Sequence, residues 1–127
     1  MPIVTITVRT PKSAAFKNNV LESVYESLVE AGGAHPQDRF HRVHELDADD
    51  FRFDPRFPDL ESDRSDDFVL VEILLGAGRS VRIKKQILQD MMGRLAKRGL
   101  NAEHVMVCFQ DVPWESISTG GGRIPHA

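Results

Sequence analysis

Two residues far apart in the chain offer the first chemistry: Pro2, directly behind Met1, and Arg79, in the turn Gly76-Ala77-Gly78-Arg79-Ser80. A small second residue favours removal of the initiating methionine, and a proline uncovered in this way is a free secondary amine. An α-amino group titrates near neutrality, at about 7.7–8.0. Proline's ring nitrogen is more basic, but burial and a nearby cation both disfavour its protonated form. Such an amine can act as a general base at physiological pH. Proline makes up about 5 % of residues in general, so Pro2 gains meaning only beside a partner group. Arg79 is that partner. It stands between a buried strand and a helix amino terminus, whose free N–H groups favour anions. Its guanidinium can grip a carboxylate by two parallel hydrogen bonds. The plainer alternative is an arginine solvated in a turn. Arg82 lies one helical turn further on and would extend the same patch.

The elements that must position these groups are legible from periodicity. Ile3 to Val8 is rich in β-branched residues and partly alternates, as a strand with one drier face does. Ser13 can cap a helix to about Ala31, with Phe16, Val20, Val24 and Leu28 on its buried face; Gly32-Gly33 ends it. A second strand is expected near Arg39 to Leu46, and a third from Phe68 to Leu75. Ser80 can cap a second helix to about Lys97, striped by Ile83, Ile87, Met91 and Leu95. Val105 to Phe109 reads as a fourth strand, and the tail 113–127 carries only turn signals. The acidic stretch 47–67 reads as a surface loop whose Phe51, Phe53 and Phe57 dock on something apolar. Ser13 matches Ser80, and Gly32 matches Gly99, at one offset. The chain is therefore a duplication, about 1–47 and 67–112, of a strand–helix–strand unit. The expected fold is α+β: a four-stranded sheet, parallel within each unit, with both helices on one face. The bare face would favour association of several copies.

Composition sets the bounds. At 127 residues with 41 % hydrophobic content, the chain fits one globular domain. A net charge of −3 gives no reason to expect nucleic acid or an anionic membrane. No stretch is apolar for long enough to span a bilayer, and the start has no signal-peptide pattern. The single cysteine, Cys108, fits a reducing, cytoplasmic setting and reads as a small buried apolar residue. His41 and His44 fall on opposite faces of a strand, so no metal site is expected. Asp47 to Arg52 fails the EF-hand pattern.

Pro2, the duplicated units and Gly78-Arg79-Ser80 at the second helix together resemble the tautomerase superfamily. The fused two-unit branch, typified by malonate semialdehyde decarboxylase and 4-oxalocrotonate tautomerase-like proteins, is the best match. Pro36-Gln37-Asp38-Arg39-Phe40, Asp63-Arg64-Ser65-Asp66-Asp67 and Ala77-Gly78-Arg79 carry that likeness. The resemblance implies a cofactor-independent enzyme, assembled as a homotrimer, acting on a small-molecule carboxylate. Pro2 would be the proton-transferring amine, Arg79 the carboxylate binder, and Asp38 a group that positions or activates substrate or water. Trp114, before Gly120-Gly121-Gly122, would lie near the pocket. The decarboxylase pattern has a second arginine where this chain has Ala77, and Ser116-Ile117-Ser118 lengthens the aromatic-to-glycine spacing. Tautomerisation of a 2-oxo acid is therefore expected ahead of decarboxylation or hydration of a malonate semialdehyde-like acid. A non-catalytic ligand-binding or assembly module is the third reading. On residue type alone, Asp38 is equally a turn former, Trp114 equally an interface residue, and Glu72 a strand polar group that could pair with a helix cation.

Overall fold

The computed structural model describes residues 1–125. Strand β1 spans Pro2–Arg9 and helix α1 Ala14–Glu30; β2 spans His41–Leu46, β3 Val69–Gly76, helix α2 Val81–Lys97 and β4 Val105–Val112. Each helix starts where its serine predicts. Ser13 Oγ accepts from Phe16 N–H at 3.0 Å, and Ser80 Oγ from Ile83 N–H at 3.2 Å. One otherwise orphan helix N–H is satisfied at each start.

The helices end less symmetrically than the Gly32/Gly99 match suggests. Gly33 (φ 72°) and Gly99 (φ 82°) adopt the left-handed conformation that closes a helix at low steric cost. Gly33, not Gly32, is therefore the counterpart of Gly99, and the first unit carries one extra residue at this point.

The sheet order is β2-β1-β3-β4, with β1/β2 and β3/β4 parallel and β1/β3 antiparallel. Both pairs within a unit are joined by a helical crossover, as parallel strands require. Val4, Ile6, Val8, Val69, Val71, Ile73 and Leu75 face the helices and bury against Val20, Val24, Leu28, Ile87, Met91 and Leu95. Each such Leu or Ile contributes about 1.5–3 kcal/mol by leaving water. The opposite face stays open, and two expectations change there. Cys108 is exposed, because β4 alternates and sends Val105, Val107 and Phe109 inward but Met106, Cys108 and Gln110 outward. Glu72 points to the same open side, away from both helices, so it cannot meet a helix cation.

The acidic segment docks as expected through part of its aromatic set. Phe51 and Phe53 pack on Phe68 with centroids 5.7 and 4.5 Å away, and the Arg9 guanidinium lies 4.1 Å over Phe53. Phe57 does not join them; it is 72 % exposed at the loop's outer turn. None of the helices is long and apolar enough to cross a membrane among the described residues.

Register decides what the fold brings together. Pro2 pairs with Leu75 and Gly76 with Val112, so the start of β1 and the ends of β3 and β4 share one edge of the sheet. The Gly32–Gly33 turn after α1 reaches the same edge, where Arg79 bonds to Gly32.

Candidate active site

A cavity of about 370 Å³ opens at that edge, lined by Met1, Gly33, Ala34, His35, Asp38, Arg79, Trp114, Ile117, Thr119 and Pro125. Arg79, Asp38 and Trp114 thus converge from three separate segments. The fourth expected residue, Pro2, is buried immediately behind Met1 at the start of β1. Arg82 is not brought in: it is exposed on the first turn of α2 and does not line the cavity. Helix spacing alone cannot tell which side of the turn Arg79 leaves from.

Arg79 is held by backbone rather than by an acid. Its Nε–H donates to Gly32 O at 2.8 Å and its Nη1 to Gly76 O at 3.4 Å. These bonds fix the guanidinium yet leave its positive charge unpaired with any carboxylate among the described residues. Nη2 has no hydrogen-bond partner among the described residues, so a fork remains for a planar anion.

Asp38 sits in the turn after α1, where its N–H donates to His35 O at 2.9 Å. Its Oδ2 lies 3.7 Å from the Met1 amine, and its Oδ1 is buried with no hydrogen-bond partner among the described residues. A buried carboxylate oxygen left unpaired is costly.

The Met1 amine has its pKa lowered from the ordinary 8.0. Burial is the largest cause; Arg79 lowers it further, and Asp38 opposes both. Trp114 begins a short 3-10 turn, Trp114–Ser116, after β4. Its Nε1–H donates to Ala77 O at 2.8 Å, and its ring lies flat over Gly76, where an added Cβ would stand 2.2 Å from the indole. Sequence reasoning passed over His35, Ile117 and the Gly32 carbonyl. A histidine beside the Pro36-Gln37-Asp38 motif was visible, but its place in the cavity depends on a turn that only the fold supplies.

An amine of lowered pKa, a backbone-held arginine and a half-buried carboxylate thus meet at one end of a duplicated strand–helix–strand sheet. The chain belongs to the tautomerase family, described as tautomerase enzyme, whose pattern matches residues 38–120. It is thus an enzyme of the tautomerase superfamily, and the non-catalytic module reading falls away. A probable tautomerase of Bacillus subtilis (strain 168), YusQ, is 23 % identical over 124 residues, covering 97 % of this chain and 96 % of the relative. Among solved structures, FG41 malonate semialdehyde decarboxylase inhibited by 3-bromopropiolate superposes with a TM-score of 0.86 at 21 % identity, over 96 % of this chain and 92 % of that one. A fused 4-OT, solved as a symmetric trimer, gives 0.75 at 19 % identity over 96 % and 94 %. Both confirm the expected fold.

Proposed function

We propose that this enzyme interconverts the keto and enol forms of a 2-oxo acid, with the Pro2 nitrogen as base once Met1 is removed. The observation that carries the reading is the amine at the chain start, in one cavity with Arg79 and made easier to deprotonate by burial and by that cation. Removal of Met1 moves the terminus back by one residue, about 3.8 Å along β1. It also replaces a flexible primary amine with a rigid secondary one at the strand's first residue.

The substrate carboxylate binds the free side of Arg79. The ring nitrogen takes a proton from C3; the C3–H electron pair forms the C2–C3 double bond, and the carbonyl pair moves to oxygen. Arg79 stabilises the charge that develops there. The ammonium then delivers its proton to that oxygen, giving the enol, and the reverse sequence restores the ketone. Asp38, whose Oδ2 lies 3.7 Å from the Met1 amine that precedes Pro2, balances the ammonium formed midway.

A second reading, decarboxylation or hydration of a malonate semialdehyde-like acid, is favoured by one feature. Asp38 lines the cavity and its Oδ1 lacks a hydrogen-bond partner among the described residues, a bond that a bound water or an acid proton would supply. The open sheet face, with Ile3, Leu74 and Met106 on it, further supports assembly as a homotrimer, the state in which the fused 4-OT was solved.

Phenylpyruvate ketonisation tests the principal reading. Wild type should turn over, while Pro2→Ala and Arg79→Ala should each lose about 100-fold or more in kcat/KM; equal rates in all three would end it. Intact mass must show Met1 absent in the active protein. Carbon dioxide release from malonate semialdehyde discriminates the second reading, and light scattering against the 14.3 kDa protomer reads the assembly.

A further inference from the structure

His35 lines the cavity and has no part in the proton transfer described above. Its ring is oriented: Nδ1 accepts from Gln37 N–H at 3.0 Å. An imidazole that accepts at Nδ1 is neutral and carries its hydrogen on Nε2. The turn beneath it is braced from two sides. Asp38 N–H donates to His35 O at 2.9 Å, and the Tyr25 hydroxyl donates to Pro36 O at 2.6 Å. Tyr25 is itself covered by Arg39, whose guanidinium stands 3.6 Å over the ring and pairs with Glu22. The result is a positioned neutral imidazole whose Nε2–H has no partner among the described residues.

The other donors in the cavity are already committed in part. Trp114 Nε1–H is given to Ala77 O. Arg79 spends Nε and one Nη1 hydrogen on backbone carbonyls, leaving one edge, enough for one carboxylate. A 2-oxo acid held there still needs a donor at its ketone oxygen, the atom on which charge develops.

We propose that His35 is a catalytic residue that donates Nε2–H to the 2-oxo oxygen, opposite the arginine-bound carboxylate. The proposal rests on the keto–enol reading above. The imidazole transfers no proton: its N–H bond stays intact, and the hydrogen bond strengthens as the carbonyl pair moves to oxygen. A neutral imidazole suits this role, because an uncharged donor is closer in acidity to an enol than an imidazolium is. Gln37 N–H, by occupying Nδ1, holds the ring in the donor tautomer.

Two amide substitutions separate this role from a purely structural one. In His35→Asn, Oδ1 can still accept from Gln37 N–H, as in an Asx turn, but no donor reaches the Nε2 position. In His35→Gln, the amide N–H reaches about that position. His35→Asn should lower kcat for phenylpyruvate about 10-fold with little change in KM, and His35→Gln should recover part of the loss. Unchanged kcat in His35→Asn would overturn the proposal. A reading without turnover uses benzoylformate, a 2-oxo acid with no C3 hydrogen. Its addition to ring-¹⁵N-labelled wild type should shift the His35 Nε2 resonance, and should do so equally in Pro2→Ala. No shift would refute the donor role. A shift together with undiminished turnover in Pro2→Ala would instead remove the base and leave the donor standing.

Discussion

The two ends of the sheet began as equivalents and now differ in one respect that matters. Ser13 aligns with Ser80, so Lys12 stands where Arg79 does, and Phe68 stands where Met1 does. The sheet pairs His41 with Val4 and Val107 with Val71, which sets His104 in the place of Asp38. A cavity of about 370 Å³ lies at each end. Size therefore does not separate them. At the far end the chain runs straight through from the acidic loop into β3, so no amine is free there. The loop also satisfies the groups that would otherwise wait for a ligand: Asp67 pairs with Lys12 at 3.5 Å, and Ser62 Oγ bonds His104 Nε2 at 2.9 Å. At the near end Arg79 bonds to two backbone carbonyls with no ion pair among the described residues, and Asp38 Oδ1 has no hydrogen-bond partner among them. The near end keeps its polar groups available, whereas at its echo the acidic loop engages them.

Substitutions at paired positions test that contrast. The largest effect should come from Arg79→Ala against Lys12→Ala in the ketonisation assay. The first should cost about 100-fold or more in turnover, and the second should leave it within about twofold. Lys12→Ala should also change stability by less than about 1 kcal/mol, since its acid is largely exposed. Comparable losses of activity from both would mean the ends are not functionally distinct.

The pH profile sharpens the near end. A general base works unprotonated, so the rate rises as pH passes upward through the amine's pKa and is flat above it. Asp38 raises and Arg79 lowers the pKa of the Met1 amine, and the same signs of charge act on a Pro2 amine. The rising limb should therefore move to lower pH in Asp38→Asn and to higher pH in Arg79→Ala. A limb unmoved in Asp38→Asn would break the electrostatic link between carboxylate and amine.

The caps give the smallest effect. Ser13→Ala and Ser80→Ala should each lower unfolding free energy by about 1 kcal/mol in a denaturant titration. Only Ser80→Ala, next to Arg79, should also reduce turnover.

Much of this was legible in the sequence because local rules and the fold agree. Both caps, both helix stripes and the strand–helix–strand repeat follow from serine placement and periodicity, and Pro2, Asp38 and Arg79 were visible as chemistry. What escaped depends on which way a residue faces. Cys108 and Glu72 lie in apolar-looking strands, and only the pairing of β3 with β4 reveals that they share the open side. Arg82 follows Arg79 at helical spacing, yet the turn sends only Arg79 to the cavity. His35 became a candidate once the Gln37 amide fixed its tautomer, a contact with no signature in composition.

The indole pressed on Gly76 has a consequence for how such a pocket can diversify. Gly76 is not in the left-handed region, so φ does not demand a glycine there; the nearest obstacle to a side chain is the indole ring. A methyl group there would act as a wedge, prising the chain's lone tryptophan outward and straining its tether to Ala77. In Gly76→Ala the tryptophan emission should shift, and an unaltered spectrum would contradict the wedge. The position of this cavity wall is thus set from behind, by one missing carbon atom.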